Sequence, residues 1–232
     1  MRKLGMIGGM SWVSTRTYYE RINRTIQKRG PAMASAPLLI DSLDFRQLHA
    51  LNEDGDWSRA AQVLGESAKA LEGGGASAIV ICANSMHKVY DEVAAQVSVP
   101  VLHIADSVGA AMQAKGVTEA ALLGTRNVMT EPFFRQRLVA HGIDLPSPDM
   151  GVVEELDRII YDELMVGRVS RDAQRALKTI ISRKHQDGVT AIILACTELE
   201  LVVDIDANVL PIFDSARIHC DAASEWILGE DG

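Results

Sequence analysis

Two short apolar runs, Ala78-Ile79-Val80-Ile81 and Ala191-Ile192-Ile193-Leu194, constrain this chain more than any other feature. Each is too short for a buried helix and too uniformly apolar for a strand with one face in water. Each therefore reads as a strand covered on both faces. Such strands belong to parallel α/β sheets, whose ligands bind beyond the carboxyl ends of the strands. There the first run meets Cys82-Ala83-Asn84-Ser85-Met86-His87 and the second meets Ala195-Cys196-Thr197-Glu198. A thiol followed by hydrogen-bonding residues stands at both places, and the two cysteines are expected to hold equivalent strand ends.

The flanking sequence repeats in the same order. Lys3 to Ile7 predicts a first strand, followed by the turn Gly8-Gly9-Met10-Ser11 and a helix beginning at Ser14 or Thr15. The turn brings bare amides toward an anion, but it is not G-x-G-x-x-G, so no dinucleotide fingerprint is present. A second strand is expected at 37–40 and a helix at 56–72, with Trp57, Ala60, Ala61 and Leu64 on one face and Gly73-Gly74-Gly75 ending it. A helix at 86–95 and a strand at 99–104 follow. From Thr118 the plan recurs: Ala120 to Thr125 echoes Leu4 to Gly9, and a helical region over 152–185, broken at 166–168, leads to Cys196. A Pro-containing strand follows each cysteine strand, and each then reaches an Asp-Ser pair, Asp106-Ser107 and Asp214-Ser215. Both aspartates are expected to cap helices.

These landmarks predict a duplicated α/β unit. The expected domains are 1–104 plus 213–232, carrying Cys82, and 105–212, carrying Cys196. Pseudo-twofold packing would set Cys82 and Cys196 on either side of one cleft.

Composition narrows the functions. With 232 residues, 47% of them hydrophobic and 23% charged, the chain has ample core for one large or two small domains. A net charge of −8 with no Lys/Arg run argues against nucleic acid as a partner. No stretch approaches the ~18 apolar residues of a membrane helix, and the apolar run after Met1 is too short for a signal-peptide core. Three cysteines without a Cys-x-x-Cys pair fit neither a disulfide framework nor a zinc knuckle, so no metal is expected and the thiols read as reduced and cytoplasmic.

Across its whole length the chain resembles the aspartate/glutamate racemase superfamily. The resemblance lies in Gly8-Gly9-Met10-Ser11-Trp12, in residues 82–87, in Leu123-Gly124-Thr125 and in Ala195-Cys196-Thr197-Glu198. It implies two Rossmann-like (flavodoxin-like) domains with the active site between them, no cofactor, a small-molecule amino-acid substrate and a homodimer. Carried over by position, it implies Cys82 and Cys196 as acid/bases, and Met10, Ser11, Asn84, Ser85, Thr125 and Thr197 as holders of the substrate α-carboxylate. Ser85 stands where Thr is commoner, and Glu200 where a small residue is commoner. Glu163 lies near the place where aspartate-preferring relatives offer a lysine to the distal carboxylate, which leaves the side-chain class open.

The chemistry suits those residue types. Inverting Cα takes a proton from one face and returns one to the other, so a base on each side is required. A thiolate is such a base, and donors aimed at the carboxylate stabilise the carbanion. Weighed against this, a lone buried cysteine is commonly packing, which is the reading for Cys220. His87 reads as a hydrogen-bonded structural histidine or a group tuning Cys82, and Glu198 as a partner of Cys196 or a helix-start charge. Arg16 and Arg46 are cationic candidates for a substrate carboxylate, with a solvated arginine as the default. The competing functions are a related isomerase or decarboxylase of a small carboxylate or hydantoin, and a non-catalytic amino-acid-binding or thiol-sensing protein.

Overall fold

The computed structural model describes every residue except Ala32, Asp54 and residues 230–232, so the end of the expected first domain lies outside the described residues. The chain separates into two compact units, 1–103 with 219–232, and 104–218.

In the first unit, β1 (Leu4–Gly8) leads into α1 (Trp12–Arg29), then β2 (Leu38–Ser42), α2 (Phe45–Glu53), α3 (Trp57–Gly73) and β3 (Ala78–Ile81). After β3 come a 3-10 turn at Ser85–Val89, α4 (Tyr90–Ala94) and β4 (Val101–Leu102). The sheet order is β2-β1-β3-β4, all parallel. The second unit runs α5 (Ile104–Ala114), β5 (Ala121–Gly124), α6 (Arg126–Thr130), α7 (Pro132–Ala140), α8 (Met150–Asp162) and α9 (Arg171–Gln186). It continues with β6 (Ile192–Ala195), β7 (Ile212–Asp214) and the start of α10 (Ser215–Leu228). Its sheet is β5-β6-β7, also parallel.

Local chemistry sets the helix ends. Ser11, Asp56, Asp149 and Ser170 each accept an N–H of the first turn of α1, α3, α8 and α9, satisfying donors a helix start leaves bare. Lys28 and Arg29 close α1, and Arg183, Lys184 and His185 close α9, at the ends where the helix dipole favours positive charge. The helix that precedes each cysteine strand covers one face of its sheet. Leu64, Ala68 and Leu71 of α3 pack on Ile79, Ile81 and Ala83. Leu177, Ile180 and Ile181 of α9 pack on Ile192, Leu194 and Cys196. Each fully buried Ile or Leu contributes roughly 1.5–3 kcal/mol.

The boundaries differ from expectation where side-chain pattern was a poor guide. Helix α1 starts at Trp12, because Ser11 takes the cap. The expected helix over 86–95 divides into a 3-10 turn and α4. The strand expected over 99–104 is only Val101–Leu102; Pro100 has no N–H for the ladder, though its carbonyl accepts from Ile79 at 2.9 Å, and α5 begins at Ile104. The sequence pattern puts the return to the first unit at 213, but β7 pairs with β6 and the crossing falls inside α10 at His219. Asp214 caps α10, accepting from Ala216 and Arg217. Asp106 instead lies inside the first turn of α5 and binds Arg137 at 2.8 Å.

Candidate active site

In the second unit the strand end of β6 places three consecutive side chains together. Cys196 remains extended (φ −148°, ψ 126°), so it continues the strand's alternation and points to the face of Leu194. Thr197 opens a 3-10 turn that brings Glu198 back toward the thiol. The Cys196 Sγ donates to Glu198 Oε2 at 3.2 Å, and Thr197 Oγ1 donates to the same oxygen at 2.6 Å. All three residues are buried. Burial pushes the Cys196 thiol well above the ordinary thiol range, and the adjoining Glu198 carboxylate pushes it further. A thiol held this way is protonated at rest and, once ionised, is a stronger base than a free cysteine.

Strand β5 lies beside β6, with Gly124 opposite Ala195. A Cβ on Gly124 would sit 2.7 Å from the Ala195 carbonyl oxygen, so only glycine lets the two strand ends approach this closely. Thr125 follows as the N-cap residue of α6, yet its hydroxyl makes no cap bond; it is buried and has no hydrogen-bond partner. Glu163, at the end of α8, lies 3.6 Å from Arg158, which offsets its charge.

In the first unit, Cys82 follows β3 and donates its backbone N–H to Ile7 at 2.9 Å. Its side chain is fully buried, and burial alone pushes the thiol up. Asn84 is buried, and neither its Oδ1 nor its Nδ2 has a hydrogen-bond partner. Buried polar groups are nearly always satisfied, so Asn84 and Thr125 hold spare capacity for a ligand. Ser85 opens the following 3-10 turn and is half-buried. Ser11 caps α1 through its side chain and also accepts from Thr15 through its carbonyl. The Met10 side chain belongs to the core around Ile7, which leaves only its backbone to meet a ligand. The turn is rigidly defined: Gly9 has φ +86° and a Cβ there would fall 2.0 Å from the Leu43 carbonyl oxygen. Arg46 is 88% exposed and 3.6 Å from Asp44, a solvated surface arginine.

His87 donates Nδ1–H to the Ala83 carbonyl at 2.8 Å, fixing the backbone after β3. It belongs to a buried cluster of histidines. His103 lies 4.5 Å from the His87 ring centre and His219 lies 5.8 Å from it. His219 places Nε2 against the Leu102 carbonyl at 3.1 Å, so that nitrogen carries the proton and Nδ1 accepts from Tyr18 at 2.8 Å. These contacts join residues far apart in the chain, which no local pattern reveals.

Each cysteine is the first residue after its strand, Cys82 after β3 and Cys196 after β6. Ile7 pairs with Ile81 on the face covered by α3, and Leu123 pairs with Leu194 on the face covered by α9. Gly8 and Gly124 are the last residues of β1 and β5. Two residues beyond Leu194 on that face is Cys196; two beyond Ile81 is Ala83, not Cys82.

Among the described residues, no group of three or more His, Cys, Asp or Glu side chains is arranged to hold a metal ion, and no helix is long and apolar enough to cross a membrane. The solved structures similar to this chain include a candidate Asp/Glu racemase from Yersinia pestis, with 40% identity, 99% of this chain and 100% of that chain covered, and a TM-score of 0.91. An aspartate racemase homologue from Pyrococcus horikoshii OT3 has 32% identity over 99% of this chain and 100% of its own, with a TM-score of 0.86. An aspartate racemase from Picrophilus torridus, 20% identical over 97% of this chain and 94% of its own at a TM-score of 0.70, shares the fold. Residues 7–223 match the family described as Asp/Glu/Hydantoin racemase. On that match and those two closer likenesses, the chain belongs to the Asp/Glu/Hydantoin racemase family.

Proposed function

We propose that this protein is a cofactor-independent amino-acid racemase that moves the proton on Cα, with Cys196 as the thiol acid/base. The observation that carries this reading is the buried Cys196–Glu198–Thr197 group at a strand end. In the proposed cycle, Glu198 accepts the thiol proton, and the resulting thiolate takes the Cα proton. The electron pair left on carbon spreads into the carboxylate, which Thr125, Asn84 and amides of the following turns stabilise by hydrogen bonding. The raised affinity of the thiol for its proton suits it to a weakly acidic C–H bond.

The relatives' descriptions support an acidic amino acid as the substrate class. Glu163, paired with Arg158, leaves other amino acids within the proposal. In the same proposal the Cys82 thiol gives a proton to the opposite face of Cα, which completes the inversion, and the two thiols exchange roles for the reverse direction. The test is a panel of L- and D-amino acids in deuterated water, read by chiral chromatography and mass spectrometry. Enantiomer interconversion with α-deuteration, lost in Cys196→Ala, supports the racemase. Binding without exchange across the panel would instead favour the amino-acid-binding reading, and loss of CO2 from a small dicarboxylate the decarboxylase.

A further inference from the structure

We propose that His87 is a positioning residue for Asn84, holding the peptide on each side of it so that the Asn84 side chain keeps one fixed aim at the substrate carboxylate. The role rests on the racemase reading above for the identity of that ligand, and supplies the device that orients its donor.

Two bonds from one residue hold this arrangement. The His87 ring donates Nδ1–H to the Ala83 carbonyl at 2.8 Å, and the His87 backbone N–H donates to the Asn84 carbonyl at 3.2 Å. Those carbonyls belong to the peptides before and after Asn84, so both planes that flank its Cα are tied to His87. Asn84 stands at the head of the 3-10 turn with φ −68° and ψ −48°, and its side chain makes no cap bond. It is buried, and neither its Oδ1 nor its Nδ2 has a hydrogen-bond partner. A buried amide left open costs stability, which suits a group kept for a ligand rather than for the core.

His87 is itself held in place. A carbonyl only accepts, so Nδ1 carries the ring proton. Tyr90 stacks on the ring with centres 6.3 Å apart and planes 10° apart, while His103 and His219 meet it at 4.5 and 5.8 Å, inclined by 62° and 66°. Tyr90 donates its hydroxyl to the Val101 carbonyl at 2.9 Å, and His219 is fixed by Leu102 and Tyr18. The chain leaves the first unit after His103 and re-enters it at His219. The ring that orients Asn84 thus packs on both residues through which the first unit joins the rest of the chain.

The experiment uses the full chain and the amino-acid panel, with His87→Asn, His87→Phe and His87→Gln, each also made in an Asn84→Ala background. Asparagine places an amide N–H where Nδ1 stands, phenylalanine keeps the ring and removes the donor, and glutamine carries its N–H one bond too far. Both kcat/KM and the Kd of the amino acid should weaken about three- to tenfold in His87→Phe and His87→Gln, the effect of one lost hydrogen bond, and stay within about twofold in His87→Asn. Urea midpoints should rank the other way for His87→Asn and His87→Phe, because asparagine leaves a cavity that phenylalanine fills. A single order shared by stability and activity overturns the proposal, since a merely space-filling histidine gives that result. In the Asn84→Ala background His87→Phe should cost no more than about twofold, because no side chain is left to aim, and losses that multiply overturn the proposal. Ring-nitrogen NMR of the resting protein reads the tautomer without any turnover: Nδ1 of His87 should carry the proton, and a proton on Nε2 alone overturns the assignment. Absence of α-hydrogen exchange in every protein, with the order of Kd values kept, would instead remove the racemase reading and leave Asn84 oriented by His87 toward a bound amino acid.

Discussion

The Sγ of Cys196 donates to Oε2 of Glu198 across 3.2 Å, inside a buried turn where Thr197 donates to the same oxygen. The carboxylate disfavours a second negative charge on the sulfur, so it helps hold the thiol protonated. Glu198→Gln removes that charge and keeps the shape. The thiol should then ionise at lower pH than in wild type, while burial still keeps it above the ordinary thiol value. The pH profile of iodoacetamide labelling at Cys196 measures this, and a midpoint that rises would contradict it. Turnover in the same variant should fall, because the proton acceptor is gone.

Asn84 and Thr125 separate function from stability. Neither side chain has a hydrogen-bond partner in the folded protein, although both are buried. Thr125→Val replaces an unsatisfied hydroxyl by a methyl of similar size, so stability should stay within about 1 kcal/mol of wild type or rise. The KM for the amino acid should increase roughly tenfold, the effect of losing about 1.4 kcal/mol of binding. Urea unfolding alongside steady-state kinetics gives both quantities. A large loss of stability with unchanged KM would show the hydroxyl to be structural.

The glycine turn after β1 should tolerate no side chain. Gly9→Ala combines φ +86° with a Cβ 2.0 Å from the Leu43 carbonyl oxygen. It should cost more than the ~1–2 kcal/mol of a left-handed residue alone. Gly142→Ala is the control, with φ +75° and open space around the added Cβ. Thermal unfolding of the two variants should rank Gly9→Ala as clearly the less stable.

His219 makes stability depend on acid. Burial first, and the nearby charge of His87 second, lower its pKa from 6.5 to about 3. The unfolded chain binds the proton more readily than the folded one. The contribution is thus fully present above about pH 6.5 and is lost as pH falls from 6.5 toward 3. Urea midpoints measured across that window should decline with acid. In His219→Gln the midpoint at neutral pH should be lower, through loss of the Tyr18 and Leu102 bonds, but the decline should be shallower. An equally steep decline in the variant would assign the acid sensitivity elsewhere.

Much of this was legible in the sequence, and the failures share a cause. The buried strands were plain because Ile and Val runs have few other uses, and the cap at Asp214 follows from an Asp-Ser pair at a strand end. The bond between Cys196 and Glu198 needed only two residues of separation to be anticipated. By contrast, which side chains share a face with Ile7 and Ile81 is set by the long-range pairing of β3 with β1. The His87, His103 and His219 cluster likewise depends on tertiary contact. So does the placement of β7 with β6, which moved the crossing from 213 to 219.

The most direct test of the account is α-hydrogen exchange in deuterated water, followed for a single amino acid that wild type turns over, in Cys196→Ala against wild type. Loss of deuterium incorporation into both enantiomers, with unfolding midpoint and amino-acid binding retained, is the predicted result. Deuterium incorporation by Cys196→Ala at the wild-type rate would contradict the account.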